Sequence, residues 1–439
     1  WCELAWLGGE RADRGVLIEL DGERIASVST GVTPAPSGAP SLGGITIPGL
    51  ANAHSHAFQR ALRGRTQRER GDFWTWRRRM YEIAEAIEPD ACFALARATF
   101  AEMALAGITA VGEFHYLHHG LDGARYTDPN AMGNALIDAA AAAGLRITLL
   151  DTCYLRGGID RDAEGVQLRF SDGSVEAWSE RVEELEPRPG ARIGAAIHSV
   201  RAVDPDSAAG VAAFAAERSW PLHAHVSEQP AENEDCASAY GETPTGVLAE
   251  AGAVSERFTA VHATHLAAGD FELLGGGGSA ACLCPTTERD LADGVGPARR
   301  LAESGVRLCL GSDSQAVIDP FEEARAVELD QRLETGQRGG HSAAELLRAA
   351  TAGGCEGIGW PEAGRIAPGA LADLVTVGLD GVRLAGTGAD HALESVVFAG
   401  TAADVRDVIV GGRFVVRDGA HLGLDVAGDL AEAIALLPG

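Results

Sequence analysis

The chain has 439 residues, 46% hydrophobic and 23% charged, with a formal net charge of −27. That length suits one large barrel plus a smaller accessory domain, and the acidic balance argues against a nucleic-acid partner, which would need a basic face. All 36 basic residues other than His are Arg, with no Lys; this excludes a P-loop, a Schiff base and a carboxylated-lysine metal bridge, and leaves guanidinium, suited to bidentate carboxylate recognition, to hold any anionic group.

No run of about 18 apolar residues occurs, so no membrane span is expected. The visible start, Trp1-Cys2-Glu3-Leu4, shows no basic segment followed by an apolar one, and it lacks the initiator Met, so a few residues are expected to precede it. The eight cysteines are scattered without a CxxC pair. They read as buried thiols of a reduced, cytoplasmic protein, Cys282 and Cys284 included.

Residues 1–47 read as short strands. Gly15–Leu20 and Arg24–Val28, joined through Asp21-Gly22, form a hairpin pattern. From residue 45 apolar runs alternate with Ala-rich helical stretches. Strands are predicted over Ile45–Ala53, Ile108–His115, Leu145–Cys153, Arg192–His198, Pro221–Val226, Phe258–His262, Ser279–Cys284 and Val306–Gly311. Helices are predicted over Pro89–Ala106, Pro129–Ala143, Ser207–Arg218, Thr243–Ala251, Pro320–Leu333 and Ser342–Thr351. This alternation predicts an α/β fold, a (β/α)8 barrel over 48–365. Gly275–Gly278 reads as a loop with no phosphate-binding role, since no strand precedes it and no Lys follows. Val405–Gly419 is a second hairpin pattern. Residues 1–47 and 366–439 are expected to form one small β-sandwich into which the barrel is inserted.

The polar residues fall at the predicted strand ends. In Pro48-Gly49-Leu50-Ala51-Asn52-Ala53-His54-Ser55-His56, residues i and i+2 leave one strand face, which places His54 and His56 roughly 6–7 Å apart at Cβ and within reach of one metal ion. His115, His198, His225, His262 and Asp313 also lie at or just past strand ends, the catalytic face of such a barrel. Three His and one Asp give an N/O donor set for zinc with a position left for water. The alternation does not choose between His262 and His265. His223, in phase with His225, reads as structural.

The stretches PGLANAHSHAF, HAHVSEQ, AVHATHL, LGSDS and GRIAPGALADLV together resemble the amidohydrolase superfamily. The resemblance spans essentially the whole chain and implies the barrel set in a split β-sandwich. His225-x-x-Glu228 resembles its deaminase branch, which uses one divalent metal: zinc, with Fe2+ as the alternative. That implies His54, His56, His225 and Asp313 as ligands, Glu228 as proton shuttle, and His262 as a hydrogen bonder to the attacking water. Zinc lowers the pKa of bound water towards about 7.

Further stretches resemble the formimidoylglutamate deiminase family: AFQRALRG from Ala57, DFWTWRRRMY from Asp72, GEFHYLH from Gly112 and HSVRAV from His198. The resemblance implies deimination of N-formimino-L-glutamate to N-formyl-L-glutamate and ammonia in histidine degradation, by a cytoplasmic homodimer. It implies a pocket for the small dicarboxylate built from Gln59, Arg77, Tyr116, His198 and Arg201, with Arg78 and Arg79 as competitors for the place of Arg77. Trp74 and Trp76 are expected to pack the loop. Two other readings stand beside it: an aminohydrolase of a purine, pterin or S-adenosylhomocysteine, which needs no pair of Arg, and a non-catalytic scaffold of the same fold, which would have lost ligands.

Overall fold

The computed structural model describes residues 1–67 and 73–438. Eight parallel strands pair in sequence order: β1 (Leu50–Ser55), β2 (Ile108–His115), β3 (Arg146–Cys153), β4 (Ala191–Ile197), β5 (Leu222–Val226), β6 (Phe258–His262), β7 (Ala280–Leu283) and β8 (Arg307–Leu310). The ring is completed just past β8. Asp313 N donates to His54 O at 3.0 Å, and His56 N donates to Asp313 O at 3.1 Å. Every residue of β1, β2, β3, β5, β6 and β7 is buried, as expected for strands covered on both faces. The (β/α)8 expectation is therefore met.

The interior of the barrel is lined by small side chains, among them Ala51, Ala53, Ala110, Ala280, Cys282 and Cys309. Its N-terminal end is filled by Ile358 and Trp360. The Trp360 indole N–H donates to Thr148 Oγ1 at 3.0 Å, and the Arg192 guanidinium lies 3.9 Å from its ring centroid. All eight cysteines are buried and unpaired, as expected of core thiols.

Strands from both chain ends form a second, mixed sheet of eight. Its order is Ala420–His421, Arg413–Arg417, Val405–Val410, Leu374–Val377, Leu42–Pro48, Cys2–Ala5, Asp13–Asp21, Arg24–Ser29. Both predicted hairpins are present. The sheet wraps around its own core: Ile25 at one edge clusters with Leu374 and Ile409 from the other half. Arg146 at the base of β3 ties it to the barrel, donating to Asp373 from Nε at 2.8 Å and Nη2 at 3.1 Å.

Three expectations change. The single strand predicted over Ile45–Ala53 is two: Leu42–Pro48 lies in the terminal sheet, and β1 begins at Leu50. Pro48 cannot donate to a ladder. Gly49 N turns to Asp373 O at 2.8 Å, and a Cβ on Gly49 would lie 2.2 Å from Thr109 Oγ1. Gly275 and Gly276 are the last residues of a helix, Asp270–Gly276, rather than loop. A C-terminal helix, Val426–Ala435, was not foreseen; Leu430 and Ala433 form its buried stripe. Among the described residues no helix is long and apolar enough to cross a membrane.

Candidate active site

The C-terminal ends of the barrel strands open into a cavity of about 480 Å³ lined by His56, Gln59, Arg77, Tyr116, His198, Arg201, His225, Glu228, His262 and Asp313, among others. The sequence-predicted site residues line it except His54, which lies beneath, fully buried, and His115, which faces away from it.

Three imidazoles and one carboxylate converge at the floor. His54 Nε2 and His225 Nε2 are 3.2 Å apart. Asp313 Oδ1 lies 3.3 Å from His54 Nε2 and 3.4 Å from His56 Nε2. The carbonyl of Phe114 accepts from His56 Nδ1 at 2.9 Å, and that of His198 accepts from His225 Nδ1 at 2.8 Å. Those protons fix both tautomers and turn the Nε2 lone pairs to the centre. Burial holds His54, His56 and His225 below the usual imidazole range, neighbouring histidines adding to the effect at His54 and His225. Neutral imidazoles with a carboxylate are a donor set that fits a zinc-like cation. His54, His56 and His225 form one potential metal-holding group, and His54, His262 and Asp313 another.

His262 differs from the other three. Burial disfavours its charge, but Glu228, Glu288 and Asp313 outweigh that and push it up to about 10. Its Nε2 lies 3.8 Å from Asp313 Oδ2 and 3.9 Å from Glu228 Oε1, its Nδ1 3.5 Å from Glu288 Oε1. A protonated ring is a donor, not a ligand. His265 turns away, donating from Nε2 to Asp293 O at 2.7 Å. His223 donates to Gly357 O at 2.9 Å, away from the cavity.

The backbone at these strand ends is contorted. Ser227, His262, Ala263, Asp313 and Gln315 all have φ between 43° and 67°, a region that non-glycine residues visit rarely and at a cost. A polar web over-determines it. Asn52 exchanges hydrogen bonds with Ser312 at 2.6 and 2.9 Å, and Gln315 Nε2 donates to Ser55 Oγ at 2.9 Å and Asp313 O at 3.0 Å. Glu113, which burial pushes up to about 8, accepts from Ser55 Oγ at 2.5 Å and Ala57 N at 2.7 Å. A methyl group has no room at Gly311, where a Cβ would lie 2.8 Å from both Cβ and O of His54. Gly311→Ala should lower stability by about 1–3 kcal/mol and give substoichiometric metal, read by thermal melting and elemental analysis.

The upper wall carries the carboxylate-binding candidates. Arg201 Nη2 donates to Glu228 Oε2 at 3.0 Å. Arg77 Nε donates to Tyr81 Oη at 2.7 Å from the helix Phe73–Ala86. Arg78 is absent from this cavity's wall, and exposed Arg79 pairs with Glu82 at 3.0 Å; Arg77 alone of the three faces the cavity. Gln59 Nε2 donates to Tyr116 Oη at 3.1 Å, while Gln59 Oε1 has no hydrogen-bond partner among the described residues. His198 is held neutral by burial and by Arg201. Trp76, expected to pack the loop, also lines the cavity. Asp72 and the side chain of Trp74 lie outside the described residues.

His115 is a correction. Phe114 faces the histidine cluster, its ring centroid 5.0 Å from that of His54, so strand alternation sends His115 to the other face of β2. There it meets His118, Asp151 and Arg181. Arg181 grips Asp151 with Nη1 at 2.9 Å and Nη2 at 2.8 Å and pairs with Asp172 at 2.9 Å. Burial opposes the charge on Asp151, but Arg181 holds it down to about 2. This stabilisation is whole above the ordinary aspartate value and is lost as pH falls through the folded one, so stability should drop between about pH 4 and pH 2. Arg181→Met strands Asp151 and should cost about 3–5 kcal/mol at pH 7, read as a lowered urea midpoint.

Sequence reasoning missed Tyr154, Arg161, Glu232 and Glu288. Tyr154 lies just past β3, the strand-end position that flagged the others. Glu288 and Glu232 have no motif of their own; only the fold brings them to His262 and Arg201.

A parallel barrel that gathers three imidazoles and an aspartate at its strand ends is the architecture of a metal-dependent hydrolase, and the chain belongs to the amidohydrolase family, whose model matches residues 45–415. It is 40% identical over 403 residues to the formimidoylglutamate deiminase of Pseudomonas aeruginosa, covering 88% of each chain. It is 31% identical over 422 residues to a 5-methylthioadenosine/S-adenosylhomocysteine deaminase of Halobacterium salinarum, covering 95% of this chain and 91% of that one. The crystal structure of an amidohydrolase from Brucella melitensis superposes with a TM-score of 0.90 at 34% identity, over 99% of this chain and 98% of the other.

Proposed function

We propose that the protein hydrolyses N-formimino-L-glutamate to N-formyl-L-glutamate and ammonia. The observation that carries this reading is that Arg77 and Arg201 line the same cavity as the His/Asp cluster. A substrate with a reactive formimino carbon at one end and two carboxylates at the other matches such a cavity. The 40% identity to a formimidoylglutamate deiminase supports it.

His54, His56, His225 and Asp313 would hold one divalent ion, zinc in this reading and Fe2+ in the alternative. Such an ion acidifies water and polarises the carbon under attack. Arg201 and Arg77 anchor the carboxylates, and Gln59, Tyr116 and His198 offer neutral hydrogen bonds. Asp313 takes the proton of the attacking water. Glu228 delivers a proton to the formimino nitrogen. His262, charged, donates from Nε2 to the oxygen that gains negative charge. The C–N bond to the terminal nitrogen then breaks: ammonia leaves with the proton held by Asp313, and the second proton of the attacking water passes to Glu228 as the formyl C=O forms.

The test is ammonia release from N-formimino-L-glutamate, N-formimino-L-aspartate and a panel of aminopurines, by protein loaded with zinc. Turnover confined to the first supports the reading. Turnover confined to the purines transfers it to the nucleoside-type deaminase that the 31% relative represents.

A further inference from the structure

Arg201, the proposed carboxylate anchor, is already engaged. Its Nη2 donates to Glu228 Oε2 at 3.0 Å, and its Nε lies 3.8 Å from Glu232 Oε2. Glu228 is the carboxyl that must meet the formimino nitrogen, so an Arg201 that stays in place ties up the group the reaction needs.

Glu232 lies one helical turn beyond Glu228, in the first turn of the helix Pro230–Tyr240. Its side chain is fully buried. Oε2 accepts from Glu228 N at 3.3 Å, and Oε1 has no hydrogen-bond partner among the described residues. A buried carboxylate oxygen left unpartnered is costly, and native structures retain one for a reason. Its distance to Arg201 Nε is that of an ion pair just short of a hydrogen bond.

We propose, resting on the functional reading above, that Arg201 exchanges partners when substrate binds: the substrate carboxylate draws the guanidinium off Glu228, and Glu232 holds it while Glu228 turns to the reacting nitrogen. Among the described residues Arg201 faces the carboxylates of Glu228 and Glu232, and the exchange replaces the first with that of the substrate. Glu232 is a positioning residue that acts through Arg201. The exchange also supplies selectivity. A formamidine without carboxylates, or an aminopurine, leaves Arg201 on Glu228 and is turned over poorly even when it fits.

The experiment compares N-formimino-L-glutamate with N-propylformamidine, which keeps the amidine and lacks both carboxylates, using zinc-loaded wild type, Glu232→Gln and Glu232→Asp. Circular dichroism and metal content establish that each variant is folded and loaded. In Glu232→Gln, kcat/KM for N-formimino-L-glutamate should fall by about 30-fold. Its selectivity over N-propylformamidine should fall by about tenfold, and the inhibition constant of glutarate should rise in step. Glu232→Asp, which keeps the charge, should recover part of both. A Glu232→Gln enzyme that loses both substrates equally, or keeps wild-type selectivity, overturns the exchange while leaving the functional reading intact. A wild type inactive on N-formimino-L-glutamate overturns that reading and the exchange with it.

Discussion

Glu228→Gln should lower kcat for ammonia release from N-formimino-L-glutamate by about 10³-fold, within the range found for loss of a positioned general acid. The amide matches the carboxylate in size and can still accept from Arg201, but it cannot deliver a proton. Glu228 is buried in the cavity, with one oxygen 3.0 Å from Arg201 and the other 3.9 Å from His262. Among the described residues Glu228 belongs to none of the groups that could hold a metal ion, so metal content should be unchanged. KM should fall, because the substrate carboxylate no longer has to draw Arg201 off a charged partner. Steady-state kinetics with elemental analysis of the same preparation checks this. Full turnover by a metal-replete Glu228→Gln enzyme would remove the shuttle role.

Arg201→Gln should lower kcat/KM for N-formimino-L-glutamate by about 10³-fold or more, the scale of discrimination at a site that loses its partner for a buried polar group. Two effects combine. The substrate carboxylate loses a bidentate donor, which raises KM. Glu228 and Glu232 are left as two buried carboxylates without their shared cation, which disturbs the acid and lowers kcat. Arg201→Lys should recover little, since an ammonium cannot span two acceptors as a planar guanidinium does. Activity on N-propylformamidine should fall far less. Measured kcat and KM on both substrates check this, and equal losses on the two would remove Arg201 from carboxylate recognition.

Much of the site is written in short motifs. His54 and His56, two residues apart on one strand, had to share a face, and β1 delivers both to the cluster. His225 and Glu228, three apart, had to straddle a strand end. Strand-end position by itself misplaced His115, because it does not say which face a residue takes, and the phase of each strand is fixed by what packs on it. Phe114 takes the inner place. The break at Gly49 was hidden for a similar reason: an apolar run reads the same whether it serves one sheet or two.

The sequence by itself determined the fold class and the His and Asp residues that gather at the strand ends, and it left guanidinium as the strong cation for any anionic group, because hydrophobic period, histidine spacing and the lack of Lys are local or compositional properties. Only the tertiary structure decided which His near the end of β6 enters the cavity, which of Arg77, Arg78 and Arg79 faces it, and that Arg201 rests on Glu228 with Glu232 behind it. Each of those depends on pairs far apart in the chain: Glu228, Glu288 and Asp313 together surround His262 and favour its charged form, and Arg201 lies 27 positions before the Glu228 it contacts. Side-chain protonation and ion pairing are fixed by distance and burial, and those exist only once the barrel has closed.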